Sequence, residues 1–185
     1  DLKPLKNACE EISKYLQKDT LVIVESTIFP GTTEDIILPI LKKSNVKFYL
    51  AHCPERIDPG NKKYTTSNLP RVIGGVNKES SAKAHEFYKK IIDANIVELS
   101  TVKAAEATKI MENTFRDINI AFVNEMAKSF DKAGIDIMEV IEGAKTKPFG
   151  FTAHYPGTGV GGHCIPVDPY YLIEKAKQIG FDHKF

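Results

Sequence analysis

The chain has 185 residues, a length that fits one large domain or two small ones. It is 42% hydrophobic and 26% charged, with no low-complexity tract, which excludes a disordered chain, a collagen-like repeat and a disulfide-stapled miniprotein. Lys and Arg number 25 against 24 Asp and Glu, so we expect no nucleic-acid partner. No apolar run approaches the ~20 residues that span a bilayer, so we expect no membrane partner either.

The chain has three cysteines, Cys9, Cys53 and Cys164. An odd number argues against a closed disulfide framework, and the reducing cytoplasm is the expected location. A histidine directly precedes both Cys53 and Cys164, which raises the possibility of zinc. Structural zinc ligands are usually spaced by two to four residues, however, and adjacent residues rarely bind one ion, so we expect no metal.

The first hundred residues alternate between helical and strand patterns. Apolar residues at helical spacing from Leu5 to Leu16 predict a helix, and residues 21–24 form an apolar run typical of a strand buried on both faces. The remaining elements predicted in this half are a helix through residues 36–41, strands at 47–51, 71–75 and 96–99, and a helix over 78–92. This alternation predicts an α/β fold with a mainly parallel sheet.

The second half is predicted to be helical. Between about Val102 and Ala133 there is no Gly or Pro, which predicts a helix of ~32 residues and ~48 Å. Its two apolar stripes require cover on two sides, one from its own domain and the other from a second subunit. A helix over 137–144, a loop over 147–162 rich in Pro, Gly and aromatic residues, and a last helix from about Asp168 follow.

A glycine-rich loop precedes the last predicted helix. Gly157, Gly159 and Gly162 formally match G-x-G-x-x-G, but no strand precedes them, so the match is a weak dinucleotide fingerprint. The loop fits better as a segment whose backbone approaches a ligand closely and which carries Cys164 to a helix N-terminus, where a thiolate is stabilised. Asp168, four residues on, is a candidate base. An ordinary turn with an inert cysteine is the weaker alternative.

Two further groups of polar residues are candidates. Lys109, Asn113 and Arg116 share one face of the long helix, and the spacing alone fits a functional face as well as a solvated face paired with glutamates such as Glu106. Ser26–Thr27 and Glu55–Arg56 each follow a predicted strand, and ligands of open α/β sheets bind at the carboxyl ends of strands.

The motifs that carry a family resemblance occur in one order along the chain. They are Glu25-Ser26-Thr27, Cys53-Pro54-Glu55-Arg56, Ala105-Glu106 with Lys109 and Asn113, and Gly161-Gly162-His163-Cys164 with Asp168. In this arrangement the chain resembles the UDP-glucose/GDP-mannose dehydrogenase family of nucleotide-sugar 6-dehydrogenases, over essentially its whole length. Residues 54–61 and 147–151 resemble the branch that acts on UDP-N-acetylglucosamine, with the UDP-N-acetylmannosamine branch close behind.

The resemblance implies an NAD-dependent enzyme that oxidises the 6-hydroxyl of a UDP-sugar to a carboxylate. By analogy, Cys164 is the nucleophile that forms a thiohemiacetal and then a thioester, and Asp168 helps to activate water. Lys109 and Asn113 stabilise the developing oxyanion, while Thr27 and Glu55 handle water and protons. The implied substrate-binding residues are Arg56, Ile57, Arg116, Tyr155, Gly157, Gly159 and Gly161, and the implied cofactor-binding residues are Ser26, Thr27 and Glu55.

The resemblance also implies an architecture. Residues 1–100 correspond to the C-terminal part of a Rossmann-like NAD-binding domain whose first half is missing, and residues 101–185 to a central, all-helical domain. The long helix of that domain is expected to form a homodimer. The family's G-x-G-x-x-G strand and turn do not precede Asp1, so we expect the chain to be a central fragment.

The chain departs from the family pattern at one position, and three alternative functions remain open. The UDP-glucose and GDP-mannose branches carry a second Glu four residues after the first, where this chain has Pro59. The alternatives are a UDP-N-acetylmannosamine or UDP-glucose 6-dehydrogenase, a catalytically incomplete dimerisation fragment, and a hydroxyacid dehydrogenase of the 6-phosphogluconate type. The last needs no cysteine, so the Gly-Gly-His-Cys loop argues against it.

Overall fold

A computed structural model describes residues 2–184. The helices are α1 Lys3–Tyr15, α2 Leu38–Leu41, α3 Lys78–Tyr88, α4 Val102–Lys132, α5 Ile137–Lys145 and α6 Asp168–Gln178. The strands are β1 Thr20–Val24, β2 Phe48–His52, β3 Arg71–Gly75 and β4 Ile96–Glu98. The alternating first half and helical second half confirm the predicted fold class.

The four strands form one mixed sheet in the order β1-β2-β3-β4. The β1–β2 pair is parallel over five residues, from Thr20↔Phe48 to Val24↔His52, and β3–β4 is also parallel. The middle pair, β2–β3, is antiparallel and short, so two of the three strand pairs are parallel and the sheet is mainly parallel, as predicted. A parallel crossover is usually made by a helix, and the segment that joins β2 to β3, residues 53–70, contains none.

Helices cover both faces of the sheet. Leu50 of β2 belongs to a core cluster that includes Cys9 of α1 and Leu41 of α2, whereas the next residue, Ala51, packs with Ala84 and Tyr88 of α3. Successive side chains of a strand point to opposite faces, so β2 contributes to both clusters. The strand predicted at residues 21–24 to be buried on both faces is β1, in which Val24 is buried and residues 20–23 are half-buried.

The helix predicted through residues 36–41 is irregular. Residues Thr33–Ile37 form one π-helical turn, α2 continues from it, and Lys42–Ser44 close with a 3₁₀ turn. The N–H of Leu38 donates to the carbonyl of Thr33, five residues back, which is the π-helical pattern. Pro39, the next residue, has no N–H to donate. The spacing of the apolar residues predicted one regular helix, because it does not distinguish α-helical turns from π-helical or 3₁₀ turns.

The long helix is confirmed, with 31 residues from Val102 to Lys132. The chain divides into two compact units between Ile110 and Met111, inside α4. The predicted domain boundary near residue 100 stays a prediction. The described part of the second unit, residues 111–184, contains helices and loops without a strand. No helix within residues 2–184 is long and apolar enough to cross a membrane.

Candidate active site

In the first unit, the loops that follow β1 and β2 lie side by side at the carboxyl edge of the sheet. The N–H of Cys53 donates to the carbonyl of Val24 at 2.9 Å, and the N–H of Glu55 donates to that of Glu25 at 3.2 Å. Ser26, which is exposed, and Thr27, which is half-buried, therefore lie at the same edge as Glu55. This is the edge at which open α/β sheets bind their ligands.

The Glu55 carboxylate is held by three donors. Its Oε1 accepts the backbone N–H groups of Arg56 and Ile57, each at 2.8 Å, and its Oε2 accepts Arg71 Nη1 at 2.8 Å. Partial burial alone would raise the pKa of Glu55, but the hydrogen bond from Arg71 and the two backbone bonds lower it below its usual value. Glu55 is therefore an ionised acceptor. Arg71, which is buried at the start of β3, belongs to none of the motifs that the sequence offers.

Lys109 of α4 contacts the same loop. Its Nζ donates to the main-chain carbonyl of Glu55, so the structure brings these two predicted residues together. His52 is buried nearby, and its burial, together with the positive charge of Lys109, lowers its pKa from 6.5 to about 4. The imidazole is consequently neutral at pH 7.

In the second unit, Asn113 and Asp168 are joined directly. Asn113 Nδ2 donates to Asp168 Oδ2 at 2.5 Å, although the two residues are 55 positions apart. Asp168 is buried as the first residue of α6. A buried carboxyl group needs a hydrogen-bonding partner, and here the partner is the amide of another candidate catalytic residue.

Cys164 lies exposed in the turn that leads into α6. Its carbonyl oxygen accepts the N–H groups of Val167 at 3.0 Å and Asp168 at 2.9 Å. The preceding Gly161 has a φ of +70°, a conformation that L side chains rarely adopt, so the loop's path depends on glycine. Burial raises the pKa of the Cys9 and Cys53 thiols. Cys164 is therefore the accessible thiol of the three.

The glycine-rich loop is attached to neighbouring helices of the same unit. Asn124 of α4 accepts the Gly157 N–H on its Oδ1 at 2.8 Å and donates from Nδ2 to the Gly159 carbonyl at 3.5 Å. Tyr155 donates its hydroxyl to Glu142 of α5 at 2.7 Å. Asn124 could not be predicted from the sequence, because its spacing along α4 gives no sign of contacts 33 and 35 residues away.

The remaining predicted substrate-binding residues are less constrained. Arg56 is half-buried and its Nη1 donates to the Pro70 carbonyl at 3.3 Å. Ile57, Arg116 and Gly161 are exposed. Their roles stay predictions.

The polar groups at this edge of the sheet are suited to hydrogen bonds with a nicotinamide nucleotide. The hydroxyls of Ser26 and Thr27 can donate or accept hydrogen bonds, and ionised Glu55 accepts them, which suits the ribose and carboxamide of NAD. Among residues 2–184, no group of three or more His, Cys, Asp or Glu side chains is placed to hold a metal ion.

Comparison with known proteins agrees with this fold, which is that of a Rossmann-type dehydrogenase. Residues 1–92 match the NAD binding domain of the UDP-glucose/GDP-mannose dehydrogenase family, and residues 103–185 match the central domain of the same family. The chain belongs to the UDP-glucose/GDP-mannose dehydrogenase family.

Several relatives are similar along nearly the whole chain. It is 45% identical to a UDP-N-acetyl-D-glucosamine 6-dehydrogenase of Pseudomonas aeruginosa, over 98% of this chain and 44% of the relative. It is 46% identical to a UDP-N-acetyl-D-mannosamine dehydrogenase of Methanocaldococcus jannaschii, over 96% of this chain and 40% of the relative. The chain thus spans less than half the length of these curated relatives.

Solved structures give the same result. The structure of a UDP-D-ManNAc dehydrogenase from Pyrococcus horikoshii superposes with a TM-score of 0.89 at 39% identity, covering 100% of this chain and 44% of the other. A 3-hydroxyisobutyrate dehydrogenase of Mycobacterium tuberculosis superposes at 0.69 with 15% identity, covering 97% of this chain and 66% of the other. That second similarity concerns the fold alone and gives no support to the hydroxyacid dehydrogenase alternative.

Proposed function

We propose that the protein containing this chain oxidises the 6-hydroxyl of a UDP-N-acetylhexosamine to a carboxylate, with UDP-N-acetylglucosamine as the favoured substrate. The observation that carries the proposal is that both domains of one dehydrogenase family match and that Asn113 and Asp168, both family motif residues, are hydrogen-bonded. NAD, when bound, supplies the hydride acceptor; Ser26, Thr27 and Glu55 would hold it.

Lys109 and Asn113 are proposed to stabilise negative charge on the sugar oxygen as the 6-hydroxyl loses its proton. They lie four residues apart on α4 and so project from one face of it. A cation and an amide aimed at a developing alkoxide give oxyanion stabilisation, often about 3 kcal/mol per donor. The Asn113–Asp168 bond supports this role because it limits the rotation of the amide.

Cys164 is proposed to add to the C6 aldehyde and form a thiohemiacetal, whose oxidation gives a thioester. Hydrolysis of the thioester then releases the carboxylate and restores the thiol. A thiolate is both a good nucleophile and a good leaving group, and the exposure of Cys164 suits the role. Asp168 is proposed to activate the water for this step.

Glu55 and Thr27 are proposed to order water and to accept protons beside the reacting carbon. The ionised state of Glu55, maintained by Arg71, makes it a hydrogen-bond acceptor. Since Pro59 replaces the second glutamate of other branches, Glu55 is the carboxylate to which we assign this task.

The substrate would be held by the glycine-rich loop, including Tyr155, Gly157, Gly159 and Gly161, together with Arg56, Ile57 and Arg116. Guanidinium groups and backbone N–H groups are the usual partners of a diphosphate. Asn124 and Glu142, which bind Gly157 and Tyr155, support the loop in this role.

The test is to incubate the purified protein that contains this chain with NAD and each of three sugars separately: UDP-N-acetylglucosamine, UDP-N-acetylmannosamine and UDP-glucose. Mass spectrometry of the nucleotide-sugar pool then identifies any uronic acid. We expect the uronic acid of UDP-N-acetylglucosamine at the highest kcat/KM. A higher kcat/KM for UDP-N-acetylmannosamine would change the assigned substrate to that sugar. The absence of a uronic acid from any of the three sugars would contradict the proposed function.

The second candidate is a dimerisation module that binds neither nucleotide firmly by itself. The observation that favours it is an exposed apolar stripe on α4, formed by Met111, Phe115, Ile118 and Phe122. Calorimetric titration of the 185-residue chain with NAD separates the candidates. Heat of binding at micromolar affinity supports a nucleotide-binding role for residues 1–185, and its absence supports the module.

A further inference from the structure

Glu106 of α4 is a buried carboxylate that binds the loop after β1. Only 1% of its surface is exposed, its Oε2 accepts the Gly31 N–H at 2.5 Å, and its Oε1 accepts the Thr33 N–H at 2.7 Å. These partners lie 75 and 73 residues away in sequence. A solvated face in which Glu106 forms ion pairs was one interpretation of the sequence, and it is wrong for this residue.

The bound N–H groups belong to the start of the helical segment at Thr33, where backbone donors have no partner inside the helix. Two acceptor oxygens on one side chain match two donors in the loop. Burial raises the pKa of Glu106, against the opposing effect of these hydrogen bonds. Both oxygens nevertheless accept a backbone N–H, an arrangement that suits a carboxylate.

The loop is shaped for this contact. Gly31 has a φ of +100°, and a Cβ there would lie 2.8 Å from Asp35 Oδ2. The Gly31 N–H therefore reaches Glu106 from a backbone conformation that glycine adopts readily. Gly31 follows Thr27 by four residues, so the contact fixes the end of the segment that carries Thr27.

One stretch of α4 thus holds both loops at the sheet edge. Glu106 binds the loop after β1, and Lys109, one turn further along the helix, donates to the Glu55 carbonyl in the loop after β2. All of these contacts lie within the first unit. A shift of either loop would change the position of Thr27 or Glu55 relative to Lys109.

We infer that Glu106 is a positioning residue, which sets the Thr27 loop against Lys109 without touching the substrate. The inference depends on the proposed function, because Thr27 and Lys109 have their assigned roles in that reaction. A misplacement of about 1 Å in such a group can cost on the order of 100-fold in rate.

The variant that tests this is Glu106→Gln, which keeps the shape of the side chain. One amide oxygen can still accept one backbone N–H, but the NH₂ group meets the other as donor against donor. We expect kcat to fall about 10- to 100-fold while KM for the UDP-sugar changes less than about threefold. The matched control is Glu86→Gln, an exposed helix glutamate that pairs with Lys83 and Lys90, and it should keep wild-type kcat.

A double-mutant cycle with Thr27→Ala separates positioning from a general loss of structure. If Glu106 acts through the Thr27 loop, the double variant is scarcely slower than Thr27→Ala alone, because contacting or coupled sites are not additive. The inference would be overturned if the rate losses of the two single variants multiplied in the double variant, or if Glu106→Gln left kcat unchanged.

A measurement that needs no activity keeps the test distinct from that of the proposed function. In ¹⁵N–¹H spectra, Glu106→Gln should shift the amide resonances of Gly31 and Thr33 and also those of Thr27 and Lys109. Changes that stop at Gly31 and Thr33 would contradict the positioning role. An inactive wild-type protein with all four shifts would contradict the proposed function and leave the positioning of the loop supported.

Discussion

Among the single residues, His52 makes the free energy of unfolding depend on pH, which can be measured without a substrate. It ends β2 with 1% of its surface exposed, and its Nδ1 has no hydrogen-bond partner among the described residues. Burial and Lys109 lower its pKa from 6.5 to about 4. Between pH 6.5 and about pH 4, His52 is protonated in the unfolded chain but neutral in the folded chain, so the free energy of unfolding falls as the pH falls.

We predict that the free energy of unfolding of the chain falls about 2–3 kcal/mol more between pH 7 and pH 4.5 than that of His52→Gln. Urea denaturation at a series of pH values measures both. Glu55, whose pKa is lowered, also loses its stabilising contribution as the pH falls, so the difference between the two proteins is the relevant quantity.

The control for His52 is His163→Gln, since His163 is exposed and its removal should leave the wild-type pH dependence. The same pH dependence in His52→Gln as in the wild type would show that His52 is not buried in its neutral form.

The sequence could name a candidate nucleophile, base and oxyanion donors because they occur in contiguous motifs. Lys109 and Asn113 have helical spacing, and Cys164 and Asp168 lie four residues apart. It could not name residues whose contribution arises from distant contacts. Arg71 reaches a carboxylate 16 residues earlier, and spacing along the chain reports only neighbours in the same element.

Among the elements, hydrophobic periodicity predicted the helices and strands well and their pairing less well. The antiparallel β2–β3 pair could not be read from the apolar run of either strand, because a buried strand has the same pattern in either direction. The π-helical turn at Thr33–Ile37 lies directly before the Leu38-Pro39 pair, and hydrophobic periodicity does not record a proline's missing N–H.

The attachment of the glycine-rich loop to α4 leads to the second prediction. Replacing Asn124 by Ala removes the acceptor for the Gly157 N–H and the donor to the Gly159 carbonyl. We expect faster hydrogen–deuterium exchange across residues 155–162 and, in the active protein, a rise of about tenfold in KM for the UDP-sugar, equivalent to about 1.4 kcal/mol.

The control for this prediction is Lys128→Ala, one turn further along α4, where the side chain is exposed and pairs with Glu125. It should change neither exchange nor KM. An Asn124→Ala protein with wild-type exchange across residues 155–162 would contradict the proposed attachment.

At the scale of the whole molecule, α4 carries an apolar stripe that the described residues leave largely exposed. Met111, Phe115, Ile118 and Phe122 are between 40% and 68% exposed and follow the i, i+4, i+7, i+11 spacing of one helix face. Clustered exposed apolar side chains mark interaction surfaces. A second copy of the chain is the proposed occupant, as the resemblance to the family implies.

The third prediction is therefore a dimer whose mass is twice the 20.6 kDa of the chain, measured by light scattering after size-exclusion chromatography. Phe122→Asp places a charge at the C-terminal end of the stripe and should give monomers at micromolar concentration. Ile179→Glu, at an exposed apolar site directly after α6, should remain dimeric. A wild-type chain that is monomeric at every concentration would contradict the dimer.

We propose that the chain supplies Cys164 to a two-stage oxidation of a UDP-sugar. The ratio of NADH formed to sugar consumed, together with identification of the product, tests this in the wild-type protein and in Cys164→Ala. We expect two NADH for each uronic acid in the wild type. In the variant we expect no uronic acid and at most one NADH per sugar, because no thioester can form. Uronic acid formed by Cys164→Ala at the wild-type rate would show that the oxidation does not pass through Cys164.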